Sequence, residues 1–283
     1  MRKNNIGVLA SALTFLVAFL LIQMVATMVV GTIGYVVKGD NWTVALQHVA
    51  DGRLAADGRL MTVVSGVASV LTVAVFALCR WSPFSRVYLR SRPWGVLVWV
   101  VVLTFGTVIP SEWLLEQLNV DMPDEAKHMF EQIMSEPSGY LVLGILAPLA
   151  EEMVFRGAIL RVLLQVFDRR WHWVPIVLSA LLFGAVHFNQ AQFVHASLLG
   201  LLLGWMYYRT DSIVPGVVLH WVNNSLAYAM SNLLPQSNEL SLQELLGGNE
   251  RTVWLALGFS LCILLPSLFQ LATRLKSSEK HGS

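Results

Sequence analysis

Charge is scarce in this 283-residue chain: Asp, Glu, Lys and Arg together make up 13% of it. An average soluble domain carries about 25%. Too little polar surface remains to coat a soluble globule of this size, and disorder, collagen and coiled coil are excluded by the same composition. Cysteine is nearly missing. The two present, Cys79 and Cys262, stand far apart and form neither a disulfide framework nor a CxxC metal site. Each reads as a small buried hydrophobe. Net charge is only +1, without the basic excess that a nucleic-acid partner would require. No linker separates a second domain, so residues 1–283 read as a single integral-membrane domain.

What remains is apolar. The hydrophobic fraction is 55%, and mean hydropathy is +0.61. Crossing a bilayer as a helix takes about 20 mostly apolar residues. Eight runs present themselves: 6–37, 60–79, 94–110, 139–167, 173–188, 193–208, 213–234 and 252–271. The expected fold is all-α, a polytopic transmembrane helical bundle of about eight membrane helices. The first run is about twice the length of a signal-peptide core and reads as an uncleaved first helix.

Lys and Arg set the orientation. With the N-terminus in the cytoplasm, cytoplasmic segments hold Arg2, Lys3, Arg80, Arg86, Arg90, Arg92, Arg161, Arg169, Arg170, Arg209, Arg274, Lys276 and Lys280. The opposite side holds only Lys38, Arg53, Arg59, Lys127 and Arg251. Eight crossings with both termini cytoplasmic follow. Two loops differ from the rest. Residues 50–60 repeat Asp-Gly-Arg-Leu in tandem, and no function is assigned to the repeat. Residues 111–137 read as an acidic amphipathic surface segment, with seven carboxylates against Lys127.

Ionisable side chains inside a membrane cost roughly 2.5–3.5 kcal/mol each and are functional candidates by default. All but three of the charged residues fall in loops, ends or interfaces. The exceptions are Glu151, Glu152 and Arg156. Glu152 and Arg156 are four apart and share a helix face, so they can pair. Glu151 is rotated by about 100° and cannot use that geometry equally well. One carboxylate is then held ionised while its neighbour faces a cavity, an arrangement suited to a proton acceptor.

Run five ends with Phe183 and His187, and run seven contains His220 and Asn224, again four apart. Two histidines and a carboxylate pair on three helices supply a base, a proton carrier and an amide donor, the parts needed to activate water and stabilise an oxyanion. The same residues, His187, His220 and Glu151, could instead hold Zn²⁺ with an open fourth position. The spacing is not HExxH, so no single motif points to a metal. His195 has an interfacial or supporting role as readily as a catalytic one. A proton-coupled transporter would need an inverted repeat between halves, and none is visible.

Glu151-Glu152-x-x-x-Arg156, Phe183-x-x-x-His187 and His220-x-x-x-Asn224, in that order on three apolar helices, resemble the CPBP family. Its members include the CAAX prenyl proteases of the Ras-converting type and the Abi bacteriocin-processing proteins. The resemblance covers residues 139–230 as a family-like catalytic core. It implies an intramembrane endopeptidase, and position by position it implies Glu151 as general base assisted by His187. His220 and Asn224 would polarise the scissile carbonyl, with Glu152, Arg156 and Phe183 in support. No cofactor is favoured, although metalloprotease labels within the family keep Zn²⁺ open. The implied partners are a peptide or protein substrate and the lipid bilayer, and the implied location is a bacterial inner membrane. A non-catalytic membrane partner or chaperone on the same scaffold is the alternative.

Overall fold

The computed structural model describes residues 5–83, 85–234 and 240–275, and among these every regular element is helical. The α-helices are α1 (Asn5–Val37), α2 (Trp42–Ala50), α3 (Gly58–Leu78), α4 (Arg86–Arg90), α5 (Trp94–Gln117), α6 (Asp124–Ser135), α7 (Ala147–Glu152), α8 (Arg161–Leu163), α9 (Trp173–Ala185), α10 (Gln190–Thr210), α11 (Val214–Leu233), α12 (Leu242–Leu245) and α13 (Glu250–Arg274). The all-α helical fold expected from the apolar runs stands. The chain gathers into two compact units, Met1–Pro83 with Pro123–Val162 and Phe84–Met122 with Leu163–Ser283. Both chain ends, with Arg2, Lys3, Lys276 and Lys280, lie outside the described residues.

In the first unit, α1 leaves Leu9, Leu13, Val17, Leu21, Val25 and Val29 exposed, one every fourth residue. That spacing makes a continuous aliphatic stripe along the helix, while Val8, Ala12, Phe19 and Ala26 turn inward. A stripe of this length is stable against hydrocarbon and unfavourable against water. The two Asp-Gly-Arg-Leu copies fold differently. Gly52 of the first takes a left-handed φ of +75° and leads into a short 3₁₀ turn, Arg53–Ala56. Asp57 of the second caps α3, accepting a hydrogen bond from the Leu60 N–H at 3.1 Å, and also pairs with Lys38.

Run four becomes one unbroken helix of changing pitch. A π-helical stretch, Tyr140–Leu146, leads into α7; a second, Met153–Leu160, follows it and ends in α8. Pro148 stands at the start of α7 and has no N–H to donate. In an ordinary α turn its ring would press on the carbonyl one turn back, and the wider turn before it avoids that contact. All eight residues of Met153–Leu160 are buried, and the Phe19 ring of α1 meets Phe155 edge-on at 5.7 Å. The helix stops at Leu163, short of the expected 167.

In the second unit, α5 continues through Pro110 to Gln117, whereas the apolar run stops at the proline. A proline deprives a helix of one donor, and nearby hydroxyls can satisfy carbonyls instead. Here Thr104 donates to Val100 O, Thr107 to Thr104 O and Ser111 to Thr107 O, at 2.7–2.9 Å. None of these is the Gly106 carbonyl that Pro110 leaves without a donor, so one bond is lost at most and residues 111–117 extend α5, while Asp124–Ser135 form α6 in the first unit. Helix α5 packs against α13 so closely that a Cβ at Gly106 would lie 2.8 Å from the Leu264 nitrogen.

Ile6–Val37, Gly58–Leu78, Trp94–Gln117 and Glu250–Arg274 are long and apolar enough to cross a membrane. The other four runs also fold as helix, in more polar or shorter pieces. One correction concerns cysteine: Cys79 and Cys262 are exposed, not buried. Cys262 stands between Leu261 and Ile263 on α13, all three exposed. A thiol behaves as a small hydrophobe, so a surface that meets lipid tails accommodates it without burial.

Candidate active site

The carboxylate motif lies in the first unit, at the junction of α7 and the second π-helical stretch. Glu152 and Arg156 are fully buried, at 0% and 1% exposure. The Arg156 Nη1 donates to Glu152 Oε1 at 2.8 Å, which is the pairing expected from their i, i+4 spacing. Removing both charges from water is costly, and a charge-assisted hydrogen bond offsets that cost only while both partners are present. Glu151 is only partly buried. Two adjacent carboxylates of one chemistry thus occupy different surroundings.

The histidine motifs lie in the second unit. His187 follows the last turn of α9, and its Nδ1 is 2.9 Å from the Phe183 carbonyl oxygen. A carbonyl can only accept, so Nδ1 carries the proton in this bond. The Nε2 lone pair of the neutral ring is then the proton-accepting position. Phe183 is buried and stands nearly perpendicular to two imidazoles, His187 at 5.3 Å and His220 at 5.6 Å between ring centroids. It acts as the partition that spaces them. His220 is buried on α11 and Asn224 lies one turn further on, partly buried. Asn223 Nδ2 donates to Asn224 Oδ1 at 3.3 Å. That bond takes up the oxygen of the Asn224 amide, whose NH₂ can only donate.

Close helix packing brings the imidazoles together. A Cβ at Gly184 would sit 2.3 Å from Ser197 Oγ and 2.6 Å from the Phe193 carbonyl oxygen, so α9 and α10 approach there as only glycine permits. His195, on α10, lies within electrostatic reach of both His187 and His220. Sequence reasoning left its role open, because contact between antiparallel helices is not visible in linear spacing.

Two neighbours of His187 carried no weight in the sequence. Phe188 has a left-handed φ of +57° and is 83% exposed, an unusual state for a bulky side chain. Asn189 caps α10, accepting from the Gln192 N–H at 2.9 Å while its Nδ2 donates to the His187 carbonyl at 3.2 Å. The signal for it was present, since Asn directly before an apolar periodic stretch is a helix-start signature. Ala185, Phe188, Asn189, Gln190 and Phe193 line an open hollow of 230 Å³ beside His187. Among the described residues, no group of three His, Cys, Asp or Glu side chains is placed to hold a metal ion, and no step below uses one.

Residues 134–226 match the family described as Rce1-like, type II CAAX prenyl endopeptidase. The match spans all of the residues above, from Glu151 to Asn224. No curated protein and no solved structure matches the chain. The match supports a CAAX-type intramembrane endopeptidase in general terms, an integral membrane protein with a peptide or protein substrate. The match covers about a third of the chain, and over that stretch the chain is similar to the CPBP family of intramembrane proteases.

Proposed function

We propose that the chain hydrolyses a peptide bond near or within the membrane by glutamate-activated water. Glu151 is the general base: its carboxylate takes a proton from water as the water oxygen attacks the scissile carbonyl. His187 assists through Nε2, the nitrogen left as acceptor by the bond from Nδ1 to the Phe183 carbonyl. His220 and Asn224 donate hydrogen bonds to the oxyanion. Glu152 and Arg156 hold their helix in register, and Phe183 spaces the imidazoles. The protein crosses the membrane eight times with both termini cytoplasmic.

The observation that carries this reading is the contrast between the two glutamates. Glu152 is sealed and committed to Arg156, whereas Glu151 is partly open, as a group that must meet water and substrate has to be. The test compares membranes from cells that make the wild type or Glu151→Gln by terminal proteomics, alongside cleavage of a prenylated CAAX peptide by each purified protein. New termini and peptide cleavage are expected with the wild type alone. Undiminished cleavage by Glu151→Gln would overturn the mechanism.

A further inference from the structure

In the second unit, several chain segments bring arginine to one end of the helices. The Ile213 N–H donates to Ser85 Oγ at 3.2 Å, which ties the segment before α4 to the start of α11. Arg209 at the end of α10 donates through Nη2 to Ala272 O at 3.0 Å and Leu275 O at 2.5 Å, which ties it to the end of α13. A Cβ at Gly95, in the first turn of α5, would lie 3.7 Å from Arg274 Nη1. The His172 ring stacks on Tyr208 at 4.3 Å, which places the turn Arg169–Trp171 at this same end.

The end so assembled exposes Arg86, Arg90, Arg92, Arg169, Arg170 and Arg274. Residues 80–111 hold no Asp or Glu at all. Among the described residues, Arg86, Arg90 and Arg92 make no ion pair with a carboxylate. Arg86, Arg90 and Arg92 stand together in a stretch without carboxylates and repel one another, so this part of the face gains by meeting an anion. It is built from arginine and not lysine, and the planar guanidinium fork matches two oxygens of a phosphate group. Trp94, Trp171 and Trp173 stand exposed at the same end, at 62%, 55% and 48%. Tryptophan beside arginine at the ends of apolar helices is the arrangement found at a membrane–water interface.

We infer that this arginine face is a docking surface for anionic phospholipid headgroups, held by phosphate to guanidinium contacts from α4 and the segment that joins it to α5. The tryptophans select a lipid over an acidic protein, because they place the arginines at headgroup depth. The surface uses none of the residues of the carboxylate and histidine motifs, and the inference stands whether or not the peptidase mechanism does.

The experiment reconstitutes the purified full chain into vesicles of equal parts phosphatidylcholine and phosphatidylglycerol. The protein is then extracted in mild detergent, and the lipid that stays bound is counted by native mass spectrometry. The wild type should retain phosphatidylglycerol several-fold over phosphatidylcholine. The triple variant Arg86→Gln, Arg90→Gln, Arg92→Gln should fall to the vesicle proportion, while Arg86→Lys, Arg90→Lys, Arg92→Lys keeps an intermediate enrichment. Equal retention of both lipids by the wild type overturns the inference without any variant. Full enrichment in the glutamine triple variant overturns it too. Loss of bound phosphatidylglycerol on adding inorganic phosphate, at unchanged ionic strength, would show a site for the free anion and not for the lipid.

Discussion

Every residue of Met153–Leu160 is buried, whereas the eight residues from Phe183 to Gln190 include one of the most exposed aromatic side chains of the protein, Phe188, in left-handed backbone. The first stretch fixes its ionic pair by enclosure: Arg156 and Glu152 are sealed from solvent and held to each other. The second fixes its imidazole by a single short bond back to its own helix, and the residues on either side of it line an open hollow. Enclosure suits a group that must hold still. A tethered ring beside an open hollow suits one that exchanges protons with an arriving molecule.

The largest effect expected is on turnover. Glu151→Gln should reduce cleavage by about 10⁴-fold at unchanged helix content. Adding His187→Gln should cost far less than its single effect, since groups that act as a unit are not additive. Additive losses would separate the two residues. Next comes Arg156→Met, which leaves Glu152 buried without its cation. A loss of about 3–5 kcal/mol is expected in denaturant unfolding, with much of it recovered in Glu152→Gln, Arg156→Met. If Arg156→Met alone is harmless, enclosure is not what fixes this region.

Gly184→Val should then cost about 1–3 kcal/mol, because the new side chain meets the α10 backbone. The His187 ring signals in NMR should shift with it. Phe188→Gly is expected to raise stability by up to about 1 kcal/mol by releasing left-handed strain. A loss of stability would show that the exposed ring packs on something essential. The smallest effect is expected outside both regions of the sequence, at Asp57. Burial would raise the Asp57 carboxyl, but the hydrogen bonds from Lys38 and the Leu60 N–H, with the charges of Lys38 and Arg59, hold it below its ordinary 3.8. Its contribution is present above that value and is lost as pH falls through the depressed one. Asp57→Ala should therefore cost about 1 kcal/mol at neutral pH and less in acid, measured by thermal unfolding.

Much of this was legible from composition and spacing. All eight apolar runs fold as helix, and for the four long enough to cross a membrane a hydrocarbon environment leaves the backbone no other way to satisfy its hydrogen bonds. The Glu152–Arg156 pair followed from helical spacing. Other features resisted for physical reasons. Pro110 reads as a stop in any soluble helix, yet it removes a single donor and α5 runs on to Gln117. Cys79 and Cys262 read as core because burial and lipid exposure select the same residue type. His195 sits eight residues after His187, a spacing with no meaning until Gly184 brings α9 against α10.

The two π-helical stretches that flank α7 bear on how this chain tolerates change in length. An ordinary helix that loses one residue turns everything beyond the cut by about 100°. A π-helical turn already holds one residue more than an α turn, so a deletion beyond Arg156, within residues 157–160, is absorbed by closing the wide coil to the ordinary one. The segments beyond it then keep their facing. Within Ala147–Glu152 no such slack exists, and a deletion there swings Glu151 and Glu152 to a new direction. Length variation is therefore sustainable on either side of the glutamate pair and intolerable at the pair itself.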